Sequence, residues 1–398
     1  MITLLDKLKA TLDAPGLILG NAISDKYFAD WSGAKPCAPA ALLKPKTTDE
    51  LSAVMALCHQ YDQSVVVQGG LTGLAGGATP QNGEFAISLE RMSAIEEIDA
   101  TAMTLTALAG TPLQLLQEAA AEHDLFVPLD LGARGSCMIG GNVATNAGGT
   151  EVIRYGMTRS MVLGLEVVLA DGTVVSSMNK MVKNNSGYDL KHLFIGSEGT
   201  LGIVTRVVLQ LQPKSRGTHT ALCTLNSYTA VTQLLNELKR SLGSGLTGFE
   251  LMWDSYYDKV IEVLPNLTSP FAERHPYYLL VEYKDNDITS GGQRFESTLL
   301  ASLEAGRLTD ALIAQSHQDA ATFWAIRDGI GELFQVLGPV SNQDVSLPVT
   351  DIGIFADDLD KRLKAKYDNI DILLFGHIGD NNLHICAYTG READKSRI

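Results

Sequence analysis

Apolar positions recur along this chain with two periods, one helical and one of strands. In TTDELSAVMALCHQY (47–61), Leu51, Val54, Met55 and Cys58 fall on one helical face, and Thr48 stands where it can cap the first turn. SVVVQ (64–68), FAISLE (85–90) and TLTALAG (104–110) are short runs bounded by turn residues, which predicts strands. Thr111-Pro112-x-Gln114 has the cap, early proline and amide of a helix start. LGLEVVLADGTVV (163–175) predicts a hairpin turning at Asp171-Gly172, and LGIVTRVVLQLQP (201–213) a strand closed by proline. Residues 1–34 predict an N-terminal helix and a connector.

The pattern changes after Pro213. Glycine-rich stretches stop, and helical periods over about 228–242, 291–305 and 318–336 alternate with strands such as PYYLLVEY (276–283) and ILLFGHI (372–378). This places a boundary near 214 and predicts a connector (1–34), a first domain (35–213) and a second (214–398). The terminal GREADKSRI is polar and expected to fray.

Composition narrows the function. A length of 398 residues favours two domains, and 45% hydrophobic content is ordinary for a soluble protein. A net charge of −15 argues against nucleic acid or an anionic membrane surface as partner. The five cysteines (Cys37, Cys58, Cys137, Cys223, Cys386) are scattered without a CxxC pair, which reads as reduced thiols in a cytoplasmic protein. MITLLDKLKATLD lacks the apolar core of a signal peptide, and no run approaches the ~20 apolar residues of a membrane span.

Three glycine-rich segments stand out: GGLTGLAGGATP (69–80), PLDLGARGSCMIGGNVATNAGG (128–149) and GSEGTLGIVT (196–205). Glycine lets backbone N–H groups converge on phosphate oxygens. A nicotinamide-binding fingerprint is one explanation, since Gly70, Gly73 and Gly76 follow a strand and Glu90 lies about twenty residues on. The helix that such a site needs does not open there; ATPQNGE is turn chemistry. The other alternative is tight turns without a ligand, which three such segments in one region disfavour.

GHIGDNNLH (376–384) places His377 and His384 seven residues apart. On a helix that is about 10 Å, too far for one metal ion. A hairpin turning at Asp380-Asn381 would set Gly379 against Asn382, Ile378 against Leu383 and His377 against His384, with Cβ atoms about 5 Å apart. Two imidazoles could then share a metal; the alternative is a pair of polar residues on a solvated hairpin.

VVVQGGLTGLAGG, PLDLGARGSCMIGGNVATNAGG and GYDLKHLFIGSEGTLGIVT, in that order over about 35–213, resemble the vanillyl-alcohol-oxidase/PCMH type of FAD-binding domain. From 214 on, the chain resembles the C-terminal domain of FAD-linked oxidases that act on D-2-hydroxy acids, and GHIGDNNLH is similar to that branch's GHxGDxNLH signature. The resemblance implies an α+β fold: a PCMH-type FAD-binding domain plus a C-terminal substrate (cap) domain with an antiparallel sheet and flanking helices. It implies that Gly69, Gly70, Leu71, Thr72, Gly73, Gly76 and Gly77 wrap the FAD pyrophosphate. Pro128, Ser136, Gly140, Gly141, Asn142, Thr145 and Ala147 would lie along the flavin and ribityl chain. Glu198, Gly202 and Val204 would lie toward the adenine or ribose. No histidine stands in the first loop, so the FAD is expected to be non-covalent.

The same resemblance implies oxidation of a D-2-hydroxy acid to the 2-oxo acid, with hydride transfer to flavin. Arg327, in WAIRDGIGE, would grip the substrate carboxylate; the alternative is a solvated arginine on a helix. His377 and His384 would hold zinc or another divalent metal. Electrons would pass to an external acceptor: an electron-transfer flavoprotein, a quinone or a cytochrome. A homodimer is compatible with this reading. The family's third ligand is a glutamate followed by a histidine base in an EHG-like motif, and the chain ends at Ile398 without one, which reads as a C-terminal truncation; Glu392 and Asp394 are the nearest acids there. Gly331, Asn342 and Cys386 replace a threonine, a lysine and an asparagine of the D-2-hydroxyglutarate branch, which weakens a second-carboxylate pocket. The rival reading is a catalytically impaired flavin-binding homologue.

Overall fold

The computed structural model describes residues 3–287 and 290–391. Its contacts divide the chain into two units, Met1–Gly149 with Tyr155–Lys214, and Thr150–Arg154 with Ser215–Ile398. The short Thr150–Arg154 segment therefore belongs to the second unit, although both its flanks belong to the first. No described helix is long and apolar enough to cross a membrane.

The first unit holds two sheets. In a four-stranded sheet, Phe85–Ser88 pairs in parallel with both Ala41–Leu43 and Val65–Gln68, and Leu17–Leu19 adds an antiparallel edge. A five-stranded antiparallel sheet runs Ile95–Asp99, Thr104–Leu108, Ile203–Gln210, Val162–Val168, Val174–Ser177. The helix Thr48–Gln60 buries the expected face, Leu51, Val54, Met55 and Cys58. Its cap is Thr47, whose hydroxyl accepts from the Glu50 amide at 3.1 Å, one residue before the expected Thr48. Thr48 is turned away and donates to Glu166 at 2.8 Å. A helix does start after Pro112 (Leu113–Ala121), but Thr111 does not cap it. The Thr111 hydroxyl instead donates to the Leu108 carbonyl at 2.8 Å, tying the preceding turn. The 162–177 hairpin forms, with Gly172 at φ +88° in its turn.

The second unit is a seven-stranded antiparallel sheet in the order Asp310–Ile313, Gly217–Leu225, Tyr277–Asp285, Leu246–Trp253, Asp371–His377, Asn382–Tyr388, Ser341–Ser346. Alternate residues face opposite sides of a strand, and here both sides are covered. Phe249, Leu251, Leu279, Val281, Leu374 and Ile385 pack on one side with the helix Tyr228–Leu242. Met252, Tyr278, Leu280, Leu373, Phe375 and Cys386 pack on the other with residues of the helices Asp254–Val263, His317–Asp328 and Ile330–Val336. The single helix expected over 318–336 is interrupted at Gly329, where an added Cβ would lie 3.0 Å from Leu264 and Val260.

Candidate active site

The flavin-type features lie in the first unit. The three glycine segments meet there. A Cβ on Gly70 would lie 2.0 Å from the Ser136 carbonyl oxygen, and one on Gly77 would lie 3.1 Å from the Glu198 carboxylate. The Glu198 amide donates to the Ala144 carbonyl at 2.9 Å, joining the second and third segments. Leu71 (φ +58°) and Glu198 (φ +51°) hold a left-handed backbone that costs an ordinary side chain free energy, and such strain gathers at ligand sites. A cavity of about 680 Å³ opens there, lined by Gly69, Gly70, Leu71, Ser136 and Met138 together with Lys26, Tyr27, Phe28 and Trp31.

The Asn142 carboxamide oxygen is buried and has no partner among the described residues, as are the Gln68 oxygen and the Ser197 hydroxyl. A buried acceptor left unmatched costs about 1–3 kcal/mol unless a ligand or water supplies the donor. The cradle, the strained loops and the unmatched amide fit a dinucleotide such as FAD.

Not every predicted glycine serves that cradle. A Cβ on Gly140 would lie 2.6 Å from the Ala109 Cβ, and one on Gly202 would lie 3.1 Å from the Val168 carbonyl, so helix and strand packing accounts for both. Val204 is buried in the five-stranded sheet opposite Val167. Gly141 has open space where its Cβ would be. Thr145 donates to the Gly141 carbonyl at 3.0 Å, and Ala147 receives Thr158 at 2.7 Å. Sequence reading gave the lining residues 25–36 no part; an isolated Lys-Tyr-Phe run carries no signal until the cavity places it. Asp30, also missed, anchors the first loop by accepting from the Thr79 hydroxyl (3.2 Å) and the Ala78 amide (3.3 Å).

The polar cluster of the second unit is built by strand register. Glu250 lies directly opposite His377, and Met252 opposite Phe375; Phe375 in turn lies opposite His384, and His384 opposite Asp344. His384 therefore pairs with Phe375, not with His377 as the two-residue turn required. The connection is longer: Ile378–Asp380 form a 3₁₀ turn and Asn381 closes it at φ +76°. The slip is two residues, so both histidines keep one face and become diagonal neighbours, with ring centroids 5.0 Å apart. Their side chains are 19% and 20% exposed, which removes the solvated-hairpin alternative.

Arg327 reaches this face from the helix His317–Asp328, and its side chain is only 8% exposed, so it is no solvated arginine. Its Nε donates to Glu250 at 2.8 Å, and its Nη2 lies 3.3 Å from His377 Nε2. The guanidinium sits 5.3 Å from the Phe375 ring centre. The Tyr256 hydroxyl donates to the Arg327 carbonyl at 2.6 Å and ties down the helix end.

His377 Nδ1 meets Glu250 at 2.7 Å, and His384 Nδ1 meets Asp344 at 2.8 Å. An imidazole whose Nδ1–H is taken by a carboxylate keeps a bare Nε2, the form that ligates metal. That chemistry fits the pair as two ligands. No group of three His, Cys, Asp or Glu with metal-binding geometry occurs among the described residues; Glu392 and Asp394 lie outside them.

Burial disfavours charge on His377, but the Glu250 carboxylate outweighs it and raises its pKa. Asp380 has one buried oxygen without a partner among the described residues, and burial pushes its carboxyl up to about 6. Asn342 is exposed and lies opposite Cys386, whose thiol sits 3.3 Å from its side-chain oxygen; burial pushes that thiol up to about 12.

Residues 39–177 match the FAD binding domain family, and residues 214–398 match the C-terminal domain of FAD linked oxidases. A D-2-hydroxyglutarate dehydrogenase of Arabidopsis thaliana, mitochondrial by name, is 40% identical over 95% of this chain and 68% of that protein. The D-2-hydroxyglutarate dehydrogenase of Xanthomonas citri pv. viticola is 40% identical over 91% of this chain and 75% of that protein. The chain belongs to the FAD-linked oxidases. In fold, this oxidase is similar to p-cresol methylhydroxylase (TM-score 0.77, 14% identity, covering 99% of this chain and 84% of that one). It is also similar to alkyldihydroxyacetonephosphate synthase (TM-score 0.76, 16% identity, covering 99% and 82%). The oxidase spans about two thirds of the length of the plant relatives it matches, 68% and 65%.

Proposed function

We propose that this FAD-linked oxidase oxidises a D-2-hydroxy acid to the 2-oxo acid and hands the electrons to an external acceptor. The observation that carries the reading is one sheet face on which Arg327, Glu250, His377 and His384 gather. Arg327 supplies the guanidinium for the substrate carboxylate, and its Nε contact to Glu250 presents the remaining N–H groups in a fixed orientation. His377 and His384 would hold a divalent metal through Nε2, and such an ion would polarise the substrate hydroxyl. Bound FAD would supply the acceptor for the α-hydride, and the proton of the polarised hydroxyl would pass to solvent water as the C=O forms. The named relatives act on D-2-hydroxyglutarate, and their identity to this chain supports the hydroxy-acid class. Exposed Asn342 and neutral Cys386 give a second carboxylate no cation, and Asp344 beside them would repel it.

Visible absorbance of the purified protein, followed by anaerobic addition of D-lactate, D-malate or D-2-hydroxyglutarate, tests the reading. A yellow protein bleached by one of them supports it and ranks monocarboxylate against dicarboxylate. A yellow protein that none of them bleaches assigns the chain to flavin binding without turnover.

A further inference from the structure

We propose that Glu250 is the positioning residue of this cluster: one carboxylate oxygen sets the tautomer of His377, and the other sets the orientation of the Arg327 guanidinium. The proposal rests on the functional reading above and adds a residue that no motif marks.

Glu250 is 1% exposed, and among the described residues its Oε1 meets His377 Nδ1 at 2.7 Å and its Oε2 meets Arg327 Nε at 2.8 Å. An ionised carboxylate only accepts, so the His377 proton is held on Nδ1 and Nε2 keeps its lone pair, which faces Arg327 Nη2 at 3.3 Å and takes a metal when that nitrogen turns to the substrate. The grip on Arg327 through Nε leaves its two terminal nitrogens pointing elsewhere, Nη1 to Asp328 at 3.3 Å and Nη2 beside His377. Strand register enforces the first contact, because Glu250 and His377 are direct cross-strand partners. Stability is a poor reason for the arrangement: well-packed apolar residues in place of a buried ion pair are often neutral or stabilising. The contact is better explained by the two side chains it orients.

A carboxamide separates the two tasks. Glu250→Gln has one acceptor oxygen and one donor nitrogen, so it can hold Arg327 or His377, and the other then faces an N–H. Glu250→Asp keeps both acceptors but is one methylene shorter.

The first measurement uses the unaltered protein: long-range ¹H–¹⁵N spectra of ¹⁵N-histidine-labelled enzyme above the His377 titration, with His377→Asn assigning the signal. A neutral ring protonated on Nδ1, whose Nε2 resonance moves on adding Zn²⁺, is expected. The second is Zn²⁺ affinity by calorimetry. Glu250→Gln should bind zinc about 10–100-fold more weakly, and Glu250→Asp should recover part of the loss. With a hydroxy acid that bleaches the flavin, KM should rise more than kcat falls if the amide keeps His377 and releases Arg327.

A His377 ring protonated on Nε2 overturns the proposal, as does a parent protein that binds no zinc. A folded, yellow Glu250→Gln variant with zinc affinity and KM within about twofold of the parent overturns it too. If that variant does not fold, the tautomer of the parent decides alone. Neither the tautomer nor the zinc titration uses a hydroxy acid, so failure of turnover would sink the functional reading without touching this one.

Discussion

Burial alone would raise the carboxyl of Glu250, yet the facing charges of His377 and Arg327 bring it down to about 2 from an ordinary 4.5. A depressed carboxylate contributes stability that is fully present above its unfolded value and is lost as the pH falls through the folded one. Relative to its protonated form, ionised Glu250 should therefore stabilise the fold by on the order of 3 kcal/mol above about pH 4.5, fading between about pH 4.5 and 2. His377 runs the other way: its raised pKa contributes stability at acid pH that is lost as the pH rises through the folded value. Chemical denaturation in metal-free buffer checks this. The parent should lose stability faster than Glu250→Gln below about pH 4.5; parallel curves would show that the carboxylate is not held as described. Arg327, His377 and His384 were legible in the sequence because flanking residues mark them. Glu250 was not, since a single acid in LTGFELMW reads as an ordinary strand position until pairing with Asp371–His377 sets it against the histidine.

At the scale of elements, the strands and the helix Tyr228–Leu242 were legible because their apolar periods are clean. The register of the His377–His384 hairpin was not. Asp-Asn suits a two-residue turn, but the chain prefers a 3₁₀ turn held from outside. Lys239 Nζ donates to the Gly379 carbonyl at 3.2 Å, and the Asn381 side chain donates to the Leu347 carbonyl at 3.0 Å. Those partners are 140 and 34 residues away in sequence, beyond any local signal. Parity survived the error because the slip is even, so both rings stayed on one face. Asn381 takes the left-handed position that closes the turn, at φ +76°. Replacing it with alanine removes both the tolerance for that backbone and the bond to Leu347, a loss of about 1–3 kcal/mol. Asn381→Ala should lower the melting temperature. Asn381→Gly, which restores the backbone freedom alone, should fall between it and the parent. Equal melting temperatures for all three would mean that the turn is set elsewhere.

At the scale of the whole chain, the sequence predicts an unbroken first domain over 35–213, and contacts reassign Thr150–Arg154 to the second unit. The signal was absent because TEVIR sits between glycine segments with no change in composition. Its attachment to the second unit is both polar and apolar. Glu151 bonds Lys284, which also pairs with Glu282 at 3.2 Å, and Ile153 packs so closely on Gly379 that a Cβ there would lie 2.5 Å from its Cδ1. Gly379 also stands next to Phe249, whose Cβ would be 3.0 Å away, on the strand that carries Glu250. The segment thus braces the turn between the two histidines from outside the sheet's own sequence. Ile153→Ala leaves a gap over Gly379 at a half-buried position, so the loss should be about 1–2 kcal/mol, below that of a fully buried isoleucine. Amide hydrogen exchange should rise in Leu246–Trp253 and Asp371–His377, while the five-stranded sheet of the first unit keeps its protection. Uniform loss of protection across both units would show that they unfold as one, and no change in either strand would show that the segment is not a brace.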